Sequence, residues 1–179
     1  MLHQMGDMIR CVNVTNDQFS SKKKRPGYTT YLTSLGTEVT TLFNFTRDSG
    51  TQFWNYAFAG GNLYYSRQGT GDLTICGNGT LSSAGTLCAT VMENTLLIGD
   101  GVSATKHSTN GTSFSDTTAA PIARGFQDYQ GRMYAIGTAQ AMFWSTTGTA
   151  TNWTSDSSSI DIPGPGRLLN LIKSNDRLV

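Results

Sequence analysis

Apolar and polar positions along this chain fall into short runs separated by turn residues, and the runs recur. Four times a two-residue turn signal is followed by a strand-like run. Ser49-Gly50 precedes Thr51 to Trp54, and Glu93-Asn94 precedes Thr95 to Ile98. Gln130-Gly131 precedes Arg132 to Ala135, and Asn175-Asp176 precedes Arg177 to Val179. Gly50 to Asn94 spans 44 residues, Asn94 to Gly131 spans 37, and Gly131 to Asp176 spans 45. An apolar run leads into each turn: Val39 to Phe45, Thr86 to Met92, Ile122 to Tyr129 and Leu168 to Ser174. Their length and flanking turn residues predict strands rather than helices.

A third landmark keeps step with the first two. A further strand-like run ends at a serine in Asn62 to Ser66, Ala104 to Ser108 and Ala141 to Ser145. Beyond each serine stand a glycine and then a large apolar residue: Gly69 and Leu73, Gly111 and Phe114, Gly148 and Trp153. The glycine suits a tight turn, and the apolar residue is placed to tuck beneath it and seal neighbouring units.

A period of about 40 residues with several short strands per unit is the sequence mark of a β-propeller. The expected fold is therefore all-β, built from antiparallel, propeller-like repeats. The alternative is a β-sandwich with regular hairpins. Residues 1–36 read as an N-terminal arm with a basic loop, Lys22 to Gly27. Residues 37–179 read as the repeat domain, with units near 37–80, 81–118 and 119–160 and an incomplete one over 161–179. That makes about three and a half units, and a closed propeller needs at least about four. The chain is therefore expected to be part of a longer protein or to be completed by another chain. Alone, it is expected to associate through unpaired strand edges.

Composition sharpens this picture. Charged residues are only 14% of the 179, and there are 20 glycines. Low charge with abundant Thr, Ser and Gly suits tight β-structure with polar turns. The net charge of +1 gives no whole-molecule attraction to nucleic acid or acidic membranes. No apolar stretch reaches membrane-spanning length, and Met1 to Asp7 has no apolar core of a secretory leader. Cys11, Cys76 and Cys88 lack zinc-site or redox spacing and read as reduced thiols, with a Cys76–Cys88 disulfide as the alternative.

Candidate chemistry is sparse. Lys22, Lys23, Lys24 and Arg25 form the one concentrated basic run, a candidate contact for DNA phosphates or for an acidic partner surface. His3 and His107 lie at no metal-ligand spacing, so neither a metal nor a cofactor is expected. Asp100-Gly101 reads as a hairpin turn rather than a calcium loop. Trp54, Tyr56, Tyr64, Tyr65, Phe143 and Trp144 could form a glycan-stacking platform, but aromatics at strand spacing read first as core.

His107 to Phe114, with Asn110 near the acidic position, resembles the S-x-D-x-G-x-T-W turn of sialidase-type propellers. Ser145 to Trp153 is a looser version. In those proteins the turn is a peripheral hairpin staple, which implies fold rather than catalysis. A sialidase would also need three converging arginines, and the sequence gives no reason for Arg47, Arg67, Arg124, Arg132 and Arg167 to supply them.

Two further segments carry a wider resemblance. Asn13 to Leu32 reads NVTNDQFSSKKKRPGYTTYL. From Gln130 onward come QGRMYAIGT, MFWSTTGTATNW, IDIP and LLNLIKSNDRLV. This series resembles bacteriophage tail and head–tail connector proteins with propeller-type repeats. The resemblance implies a structural, non-enzymatic virion protein of the tail or neck, made in the bacterial host cytoplasm. It implies other virion proteins as partners, a homo-oligomeric ring, candidate contact of Lys22 to Arg25 with packaged DNA, and no membrane. A carbohydrate-binding or glycan-processing propeller and a DNA-gripping connector remain as alternatives.

Overall fold

The computed structural model describes residues 14–16, 22–24, 35–67, 72–137, 141–154, 158–162, 171–174 and 177–178. The chain divides into two units, Met1–Tyr31 and Leu32–Val179. In the first, β1 (Val14–Asn16) pairs antiparallel with β2 (Lys22–Lys24), Thr15 opposite Lys23. The lysine run, read from sequence as a loop, is thus a strand over its first three residues. Ladder pairing with β1 explains why: it satisfies the backbone there. Arg25, Pro26 and Gly27 lie outside the described residues.

The second unit is all-β and holds three antiparallel four-stranded sheets. The first runs β3 (Val39–Arg47), β4 (Gln52–Ala59), β5 (Asn62–Arg67) and β6 (Thr74–Thr80). The second runs β7 (Cys88–Met92), β8 (Thr95–Gly99), β9 (Lys106–Ser108) and β10 (Ser115–Asp116). The third runs β11 (Ala123–Tyr129), β12 (Arg132–Gly137), β13 (Ala141–Trp144) and β14 (Ser158–Asp161). Each sheet is a simple meander, so the turn-led runs after Gly50, Asn94 and Gly131 all become second strands. A two-stranded pair, β15 (Lys173–Ser174) and β16 (Arg177–Leu178), follows. The Asn175-Asp176 turn itself lies outside the described residues. Among the described residues no helix is long and apolar enough to cross a membrane.

Turn chemistry sets the registers. Glu93 and Asn94 both have positive φ (47° and 62°), as do Gln130 and Gly131 (46° and 71°). Two positive-φ residues make the primed two-residue turn whose twist matches an antiparallel hairpin. The first sheet uses a longer link at this point, a 3₁₀ turn over Asp48–Gly50.

Central strands are apolar on both faces because the middle sheet is covered on both sides. Leu96, Leu97 and Ile98 of β8 are all 0% exposed. Leu96 and Ile98 join Phe45, Trp54, Tyr56, Phe58, Leu63 and Phe114 in one core between the first and second sheets. Leu97 points the other way and joins Phe126, Met133, Ala135 and Trp153 in a second core. Side-chain alternation along a strand makes this division automatic. Each fully buried Leu, Ile or Phe contributes roughly 1.5–3 kcal/mol. Phe114 and Trp153 are the apolar residues that follow the serine and glycine of the sequence repeat, and each seals one of the two cores.

Candidate functional site

The turn from Ser108 to Phe114 is the most densely bonded feature at the junction of the first two sheets. Ser108, buried at the end of β9, accepts the Gly111 amide at 3.0 Å through its hydroxyl oxygen, and that hydroxyl donates to Asn110 Oδ1 at 3.2 Å. Asn110 Oδ1 also accepts the amides of Thr112 and Ser113 at 2.9 and 3.0 Å. One side-chain oxygen therefore folds the turn, as an Asx turn does. The folded turn then grips the first sheet. Gly77 N donates to Thr112 O at 3.0 Å, and Phe114 N donates to Gly77 O at 2.8 Å. The second serine works similarly within its own sheet. Ser145 accepts the Met133 amide at 3.0 Å and donates to Thr149 O at 2.7 Å.

A groove of about 350 Å³, at the small end of the size range of small-molecule sites, opens beside this staple, lined by Asn78, Thr80, Lys106, Phe114, Ser115 and Asp116. Lys106 Nζ lies 2.6 Å from Asp116 Oδ1. The hydrogen bond from Lys106 and its charge hold the Asp116 carboxyl below the usual carboxylate range. Lys106 is mostly shielded and Asp116 is exposed, so the pair presents a fixed polar group at the groove rim. The groove offers amide, hydroxyl, ammonium and carboxylate groups to a polar ligand.

Sequence reading missed a second polar centre, Asp100, noted only as half of a turn. It is 3% exposed. Its Oδ1 accepts the amides of Val102 and Ser103 at 2.8 and 2.6 Å, and its Oδ2 accepts Ser82 N at 2.7 Å and Ser103 Oγ at 2.9 Å. Burial pushes this carboxyl upward, but the bonds from Ser103, Val102 and Ser82 outweigh it and hold it below the usual range. The Asp100-Gly101 dipeptide was the visible signal, but the partner Ser82 is 18 residues upstream.

The remaining candidates separate. Lys22, Lys23 and Lys24 have backbone in β2, and Arg25 lies outside the described residues. Trp54 and Tyr56 are core, as read from sequence, whereas Tyr64, Tyr65, Phe143 and Trp144 are half-buried. Arg67 stacks 6.0 Å from the Trp54 ring centroid, and Arg132 donates to Ser145 O at 2.9 Å. Arg167 and His3 lie outside the described residues. His107 Nδ1 sits 3.0 Å from Thr117 Oγ1, and burial lowers its pKa. Cys76 and Cys88 are free thiols, each pushed up to about 12 by burial. Among the described residues no group of three or more His, Cys, Asp or Glu side chains could hold a metal ion.

No protein-family model matches the chain, and no curated protein matches it in sequence.

Proposed function

We propose that this chain is a propeller-like structural component of a bacteriophage tail or neck, acting by assembly contacts rather than catalysis. The observation that carries this is where the phage-like sequence pattern falls. QGRMYAIGT supplies the turn at Gly131 and β12, and MFWSTTGTATNW supplies β13, the Ser145 staple and Trp153 of the second core. The residues that carry the resemblance are those that build one repeat and pack it on its neighbour.

Two features support the propeller arrangement. All three sheets share one strand order. The first strand of the third sheet, β11, packs against β7, the first strand of the second, and against β15, which opens the next unit. First strands side by side are what radial repetition about an axis requires. In this reading the partners are other virion proteins and further copies in a ring. Lys22 to Arg25 then touches a neighbouring subunit or packaged DNA.

The test is to look for the chain in particles. Peptide mass spectrometry and gold-labelled antibody on purified virions should find it at the tail or neck. Abundance in the host lysate with absence from particles would refute the assignment.

A second reading, a carbohydrate-binding propeller, draws on the groove at Lys106 and Asp116, whose polar lining suits a hydroxyl-rich ligand. Glycan-array binding lost in Asp116→Ala would favour it.

A further inference from the structure

The dipeptide Asn-Gly occurs twice in this chain, at Asn78-Gly79 and at Asn110-Gly111. Its chemistry is the same wherever it stands. The backbone nitrogen of the glycine attacks the side-chain carbonyl carbon of the asparagine, and glycine has no Cβ to hinder the approach. The two copies differ in how free the reacting groups are. Both asparagines are exposed, so exposure does not separate them.

Asn110 is locked. Its Oδ1 accepts Ser108 Oγ and the amides of Thr112 and Ser113, and its Nδ2 donates to Ser113 Oγ at 2.9 Å. The nitrogen that would attack it is also tied, because Gly111 N donates to Ser108 Oγ at 3.0 Å. Reaction there requires the turn to open first.

Asn78 has none of these restraints. The β5–β6 register jumps from Tyr64 opposite Ile75 to Asn62 opposite Thr80, so Cys76 to Gly79 bulge opposite Leu63 alone. Gly77 is tied to Thr112 and Phe114 through its backbone, but the Asn78 side-chain amide makes no hydrogen bond among the described residues. The backbone dictates both residue types. Asn78 has a φ of +53°, where asparagine is among the few side chains tolerated. A Cβ at position 79 would fall 2.7 Å from Cys76 Cβ, so glycine is required there. The fold thus builds a reactive dipeptide into a bulge and leaves it unprotected, on the groove that Lys106 and Asp116 also line.

We propose that Asn78 is a site of spontaneous covalent modification, which turns this groove from charge-balanced to net acidic. Gly79 N gives up its proton and bonds to Asn78 Cγ. The Cγ–Nδ2 bond breaks, and ammonia leaves with that proton. Water then opens the cyclic imide at either carbonyl, giving aspartate or isoaspartate. A neutral amide becomes a carboxylate, added to a groove that already holds the Lys106–Asp116 pair. Nothing in this chemistry depends on the virion reading.

Ageing the folded 179-residue chain in mildly alkaline heavy-oxygen water, followed by peptide mapping, tests it. Label enters only where a solvent oxygen has been built in. Asn78 should take it up at least about tenfold faster than Asn110, whose turn has to open before it reacts. In denaturant the two should react at similar rates, because the hydrogen bonds around Asn110 are gone. Asn78→Gln lengthens the side chain and disfavours ring closure. It should stay folded by circular dichroism and lose the acidic species that ageing produces on ion exchange. Asn78→Asp should co-elute with the aspartate product. Equal labelling of Asn78 and Asn110 in the folded chain, labelling of Asn78 only after denaturation, or an undiminished acidic species in Asn78→Gln would overturn the inference.

Discussion

Tyr56 donates its hydroxyl to the carbonyl of Gly111 at 2.6 Å, joining residues 55 apart in sequence across the junction of the first two sheets. The bond is buried, and burial, with smaller contributions from Cys76 and Tyr65, pushes the phenol pKa far up, so the proton stays on as donor. Gly111 itself lies flat on Trp54. A Cβ there would fall 2.5 Å from Trp54 Cε2, and the residue's φ is +76°. Position 111 therefore needs glycine for both its space and its backbone.

Gly111→Ala should destabilise the protein by about 2–4 kcal/mol, combining overpacking with a left-handed backbone. Tyr56→Phe should cost about 1–2 kcal/mol, because the Gly111 carbonyl loses its buried partner. Urea unfolding of both variants measures this. A Gly111→Ala variant as stable as wild type would mean the staple does not clamp the two sheets.

The first β-hairpin of the third sheet offers the opposite change. Gln130 occupies positive φ without being glycine. Gln130→Gly should raise stability by about 0.5–1 kcal/mol by removing that strain, net of the added backbone entropy. Gly131→Ala should lower it by about 1 kcal/mol. A Cβ at Gly131 meets only Thr147 Cγ2 at 3.8 Å, so backbone conformation alone is tested. Paired melting curves decide the signs.

How much of this was legible in sequence depends on range. The turns at Glu93-Asn94 and Gln130-Gly131 and the strands around them are local, and each was placed by its own residues. The serine–glycine–apolar order also predicted that Phe114 and Trp153 would seal neighbouring sheets, because each staple closes within a few residues, whereas Leu73, its first member, is only half-buried and joins neither core. Asp100 was opaque as a hub because its partner Ser82 belongs to the segment entering the second sheet. The groove was equally hidden, since Asn78 and Lys106 meet only when two repeats stack. The lysine run misled because composition suggested a loop, while pairing with Val14–Asn16 is a tertiary fact.

The two described thiols should be inert in the native protein. Thiolate is the reactive form, and burial pushes both Cys76 and Cys88 up to about 12. Iodoacetamide at neutral pH, mapped peptide by peptide so that Cys11 is scored separately, should leave both unmodified until denaturant is added. Rapid native labelling of either would show that the core between sheets opens readily.

Acid should loosen the fold in two steps, an upper one from His107 and a lower one led by the buried Asp100 with the exposed Asp116 beside it, and the signs follow from these lowered groups. His107 has its pKa lowered by burial, so the unfolded chain binds its proton more readily. Its contribution is full above the ordinary value of about 6.5 and is lost as pH falls through the lower folded value. Asp100 is also lowered, its four accepted hydrogen bonds outweighing burial. Its contribution is full above about 3.9 and is lost as pH falls further, through a folded value lower still. Both terms therefore make stability rise with pH across the acid range. Asp100→Asn keeps one acceptor but turns an amide toward donors that the carboxylate held. It should cost about 2–4 kcal/mol at neutral pH, in line with loss of hydrogen bonds to a buried charged group. It should also flatten the lower of the two steps while leaving the upper one. Urea midpoints of wild type and Asp100→Asn from pH 7 downward measure this. Parallel curves below about pH 4, the range in which an ordinary aspartate protonates, would mean that Asp100 is not the group whose protonation releases the segment from Ser82 to Ser103.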